Sequence, residues 1–219
     1  MVTVLVAGCG VPAGQNGAGT ATETARAENG PDSIDPDRVK RIRKDLPAGD
    51  EVAEARDVTS PATYWGMRSG WVAEPPQCAA LVNPADGGVS RGLSSSGDGG
   101  QIYVVIAAAP EGRQVAPGPA LVTECQQWTA SFGRSVAAVT QAPAPSIDGA
   151  DGTVGMTTSI RTLVESGTET DSHAHTYIAY LDAHLIFVTL IVDPGSPHPP
   201  LPPQYAADLL VKTVAAARG

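Results

Sequence analysis

The sequence predicts an α+β fold, an antiparallel β-sheet with helices packed against it, in one domain spanning residues 34–219. Three observations carry that expectation. Apolar, β-branched runs of strand length recur through the second half and are joined by tight turns. Segments of helical period stand at the start, middle and end of the domain. The 24 glycines and 19 prolines of the 219 residues are spread along the chain without a period, which excludes a coiled coil, a long bundle and collagen. Hydrophobic residues at 42% supply one packed core, and no apolar run is long enough to span a bilayer as a helix. A formal net charge of −9 argues against binding nucleic acid by phosphate neutralisation.

The elements follow in order. Asp35, Pro36 and Asp37 read as an N-cap with proline at the first helical position, and Val39, Ile42 and Leu46 continue at helical spacing, so a short amphipathic helix is expected over 36–46. Five of the fourteen cations, Arg38, Lys40, Arg41, Arg43 and Lys44, fall on its polar side. These five cations read as a solvated face or as a contact for anionic head groups. A short strand is expected around Val52 and Glu54, then a break at 60–66. Pro75 and Pro76 open a helix with Cys78 in its first turn. Residues 86–100, rich in Gly and Ser, read as an exposed loop. Residues 101–109 read as a strand covered on both faces. Residues 119–131 read as a helix with Leu121, Val122, Cys125 and Trp128 in one stripe. Strands are expected at 136–140 and at 154–164, where Val154, Met156, Ile160 and Val164 alternate with Thr157, Ser159 and Arg161. Residues 173–181 and 184–192 form a hairpin about Asp182 and Ala183, and a stiff Pro-rich crossover at 194–203 leads to a last helix over 204–217.

Three cysteines leave one without a partner. Val4-Leu5-Val6-Ala7-Gly8-Cys9 resembles a bacterial lipobox, in which the cysteine thiol receives a diacylglyceryl group and becomes the first mature residue. Eight residues without a charge precede Cys9, so residues 1–8 are expected to be the remnant of a lipoprotein signal peptide. Residues 9–33, with no apolar side chain larger than Val11 after the cysteine, are expected to be a lipidated flexible tether. Acyl chains on Cys9, palmitate among them, would anchor the chain without spanning the membrane. Export would place Cys78 and Cys125 in an oxidising compartment, where a structural disulfide is expected, with two free buried thiols as the alternative.

The lipobox, the tether, Trp65-Gly66, the Pro75-Pro76-Gln77-Cys78 stretch, the segment from Cys125 to Trp128 and the closing helix together resemble a group of mycobacterial surface lipoproteins. Their C-terminal domain has no assigned function and is similar in layout to the extracellular sensor domain of the receptor kinase PknH. The resemblance covers roughly residues 34–219. It implies a cleft beside an antiparallel sheet for an unknown ligand, and two disulfides where this chain has cysteines for one.

Several residues invite chemistry. Gly88-Val89-Ser90-Arg91-Gly92 matches the GxSxG of α/β-hydrolases, with Ser90 as nucleophile, but neither flank reads as the strand or helix that motif requires. His173 and His175 share a strand face roughly 7 Å apart, a spacing that suits a metal if Glu165 or Asp171 supplies a third ligand. Pairing Leu181 with His184 sets His175 opposite Leu190 and leaves His184 roughly 20 Å away, outside any such site. Trp65, Trp71 and Trp128 line either the core or a ligand cleft, with Trp65 and Trp71 the candidate ligand contacts. The expected function is non-enzymatic. It is a sensor-like ligand- or partner-binding domain, lipid-anchored on the extracytoplasmic face of the cell membrane and requiring no cofactor. A small envelope hydrolase or metal-dependent enzyme and a lipid carrier are the alternatives. The expected ligand is a small molecule, a lipid or a protein.

Overall fold

A computed structural model describes residues 33–111, 113–164 and 167–219, so Cys9, its proposed lipid and the tether lie outside the described residues. The strands are β1 (Glu51–Arg56), β2 (Val72–Glu74), β3 (Val89–Gly97), β4 (Gly100–Ala108), β5 (Gln127–Phe132), β6 (Ser135–Ala142), β7 (Gly152–Leu163), β8 (Glu169–Leu181) and β9 (His184–Val192). They form one antiparallel sheet in the order β1-β3-β4-β9-β8-β7-β6-β5-β2. The hairpin has the register its turn dictates, with Leu181 opposite His184 and His175 opposite Leu190. Asp182 takes the left-handed conformation at that turn, φ 49°, which a short polar side chain tolerates.

Centrally placed β4, β9 and β8 are apolar on both sides because both faces are covered. On one face Val104, Ile106, Ala179, Ile186 and Val188 pack under α2 (Pro203–Arg218) and the 3-10 helix Pro36–Asp45. On the other, Val105, Ile178 and Phe187 pack with Trp65, Met67, Leu81 and the Cys78–Cys125 disulfide. The two cysteines stand 5.6 Å apart at Cα, an ordinary bridge span. Their bond ties the 3-10 helix Pro76–Leu81 to the end of α1 (Pro119–Glu124). The Tyr180 hydroxyl, fully buried, donates to the Leu81 carbonyl at 2.6 Å and fastens the same segment to the sheet.

Two expectations are corrected. Residues 86–100 are not an exposed loop: most of them form β3, paired with β4 along its length and with β1 from Arg91 to Ser96. Two partner strands satisfy its backbone whatever its Gly and Ser content, and small side chains let the neighbours close in on it. The helix expected over 119–131 ends at Glu124, and Trp128 lies on β5. Gln127 to Ala130 alternate polar and apolar, so Trp128 and Ala130 point into the core at strand period. The three-residue β2 at the far edge is a further strand that composition does not announce. No helix among the described residues is long and apolar enough to cross a membrane.

Candidate functional site

Coverage of the sheet is unequal. The face that α2 and the basic 3-10 helix cover on β3, β4, β9 and β8 is left open by the described residues over β7 and β6. There β6 and β7 alternate buried inward residues with exposed outward ones. Register builds two rows of side chains across this open area. Val136, Arg161 and Asp171 stand opposite one another on β6, β7 and β8, and Ala138, Ser159 and His173 form the next row. Directly opposed residues share a face, so the six outline a single surface. With Pro194 at its border, the surface becomes a groove of about 640 Å³.

Charges in the groove are internally paired. Arg161 lies 3.4 Å from Asp171 and 3.6 Å from Glu169, an exposed cluster in which two carboxylates outnumber one guanidinium. The Ser159 hydroxyl and His173 Nδ1 are 3.3 Å apart. Partial burial, followed by the proximity of His173, holds the His175 imidazole below its ordinary range and so favours its neutral form. The groove thus presents a guanidinium, an imidazole, hydroxyls and the Asp171 carboxylate around the apolar spots Val136 and Pro194, with Glu169 beyond its lining on the far side of Arg161. Such a surface offers both donors and acceptors to a polar ligand.

The sequence candidates fall in different places. His173 lines the groove and His175 follows on the same face, while His184 is at the far end of the hairpin. Asp171, one proposed third metal ligand, is the partner of Arg161, and Glu165, the other, lies outside the described residues. Among the described residues no three His, Cys, Asp or Glu side chains gather at metal-binding distance. Trp65 is in the core on the opposite face, 1% exposed, with Nε1 donating to Thr176 Oγ1 at 3.3 Å. Trp65 and the half-buried Trp71 both pack at a tilt against Trp128, at ring separations of 6.0 and 6.3 Å. They serve packing there and contribute nothing to the groove. Ser90, 1% exposed at the start of β3, accepts a hydrogen bond from the Val58 amide at 2.9 Å. Its flanking glycines answer to sheet packing: a Cβ on Gly88 would stand 1.9 Å from the Ala108 carbonyl oxygen, and one on Gly92 2.6 Å from that of Val104. A strained strand-to-helix turn is not what this GxSxG builds.

Val136, Ala138 and Pro194 are groove residues that sequence reasoning did not single out. The alternation of Thr157, Ser159 and Arg161 was the available signal, since it marked an outward polar face without saying that no helix covers it. His198 lies elsewhere, where the Pro-rich crossover passes the β3–β4 turn. It is 3.7 Å from Asp98 beside a second groove of about 370 Å³.

The family model described as "Domain of unknown function (DUF5642)" matches residues 35–218. The chain belongs to that family. Among solved structures, the DUF5642 chain is similar to an uncharacterized protein of Mycobacterium smegmatis, an Rv0999 ortholog, with a TM-score of 0.60 at 23% identity. The match covers 86% of this chain and 100% of that one, and at this identity it speaks for the fold alone. Both findings fit a mycobacterial protein of unknown function. No curated protein matches the DUF5642 chain significantly.

Proposed function

We propose that this DUF5642 protein is a lipid-anchored, extracytoplasmic binding domain of the sensor-like kind, whose polar ligand rests on the open face of β6, β7 and β8. The groove carries the reading: a sheet otherwise covered by helices leaves bare the area where Arg161, Asp171, Ser159 and His173 converge. The buried Cys78–Cys125 bridge supports an oxidising compartment, since such bonds persist outside the reducing cytosol. The lipobox-like run ending in Cys9 supports acylation there, and with it the kinship to surface lipoproteins and to the PknH sensor domain. Binding is proposed because Arg161, Asp171, Ser159 and His173 are recognition groups gathered on one open surface.

Two measurements test this. Intact-mass analysis of the membrane fraction should find Cys9 carrying a diacylglyceryl group; an unmodified Cys9 in a soluble chain refutes the anchor. Native mass spectrometry of the purified protein should detect a co-purifying polar ligand that is lost from Arg161→Ala and His173→Ala. A ligand retained by both variants refutes the groove.

A further inference from the structure

We propose that the solvent face of the 3-10 helix Pro36–Asp45 docks onto the anionic head groups of a phospholipid bilayer and lays the domain on the membrane in one orientation. Val39 and Ile42, 2% and 1% exposed, fix the inner side of this helix against α2 and the sheet. At three residues per turn, Lys40 and Arg43 form one outward row and Arg41 and Lys44 another, with successive members roughly 6 Å apart. All four are exposed. The carboxylates of the helix and its cap are engaged by other cations: Asp35 with Arg38, Asp37 with Arg91 and Asp45 with Lys212. Lys40, Arg41, Arg43 and Lys44 make no ion pair with the described residues. Glu54 on the neighbouring edge strand is held low first by Arg56, with Lys40 and Arg43 adding their field from a distance.

Like charges this close repel one another along a helix, and the four have no ion pair among the described residues to offset that repulsion. A chain of net charge −9 is repelled as a whole by an anionic surface, and screening over about 8 Å lets a concentrated basic face act alone. The occupant follows from charge complementarity and from position, because this helix is the first described element after Cys9. The membrane-proximal location rests on the anchor proposed above; the docking itself is tested without it.

The test uses the full chain with Cys9→Ser, so that no acyl group contributes, and vesicles of phosphatidylcholine alone or mixed equally with phosphatidylglycerol. Co-sedimentation should be confined to the mixed vesicles and weaken as salt is raised. At about fivefold per charge, Lys40→Gln/Arg43→Gln should lower the partition coefficient roughly 25-fold, and Arg41→Gln/Lys44→Gln by a similar factor. All four positions are exposed, so thermal unfolding should match the parent and certify that the variants fold. Equal binding to neutral vesicles, or undiminished binding by both folded double variants, overturns the proposal. Because the chain lacks its acylation site, failure here is separate from failure of the Cys9 mass measurement.

Discussion

Replacing Cys78 and Cys125 together by alanine removes one covalent tie and a small buried volume, as both residues are fully buried. The bridge closes a loop of sequence separation 47. In the chain-entropy model the unfolded chain regains freedom equivalent to about 4 kcal/mol when that loop opens. For a domain of this size each kcal/mol moves the melting temperature by about 2–4 °C, so the expected drop is roughly 8–16 °C. Equilibrium urea unfolding followed by tryptophan fluorescence reads it directly, since Trp65 and Trp128 lie in the same core cluster as the bridge. Cys78→Ala alone and Cys125→Ala alone should each cost nearly as much as the pair, because either one opens the loop. A double variant within about 1 kcal/mol of the parent would refute the loop-closure reasoning. Single variants much milder than the double would assign the effect to packing of the individual sulfurs.

Tyr180→Phe leaves the Leu81 carbonyl without its buried donor and should cost about 1–3 kcal/mol in the same urea assay. Gly88→Ala forces a Cβ against the Ala108 backbone and should destabilise by about 1–3 kcal/mol, whereas Val89→Ala next to it, 67% exposed, should be nearly silent. Burial depresses both His175 and His184, so below the ordinary histidine value of 6.5 the unfolded chain binds more protons than the folded one. Stability is therefore fully present above that pH and declines as pH falls through the lower folded values; urea midpoints should show the slope, and His175→Gln should reduce it.

What the sequence discloses depends on whether a segment carries its own signal or borrows structure from neighbours. The hairpin of β8 and β9 has apolar runs on both sides of a turn, and its register follows from Asp182 and Ala183 alone. The basic helix has a proline at its start and buried residues at regular spacing, and the cysteines are legible through parity. Ser94, Ser95 and Ser96 gave no such signal, because β3 is a strand only through pairing with β1 and β4. At Trp128 a helical stripe and a strand alternation both fit a short window, and the pairing of β5 with β6 decides between them. The groove was legible only in half. Ser159 and Arg161 announced an outward face, but the reach of α2 over β8 and β9, which leaves that face bare, is a property of the assembled sheet.

Among the described residues the sheet ends in two strands with one neighbour each, and such terminal strands decide whether copies of a protein stack edge to edge. One end is β1, whose exposed Glu51, Glu54 and Arg56 line the edge with charge; the other is β2, three residues long and followed at once by Pro75 and Pro76. Long apolar strands such as the central ones favour fibril formation when they are exposed, and a charged or very short edge opposes that templating. Colloidal behaviour at high local density therefore depends on the least conspicuous strands of the fold. Substitutions that replace Glu51, Glu54 and Arg56 by apolar residues would favour polymerisation while leaving the groove intact.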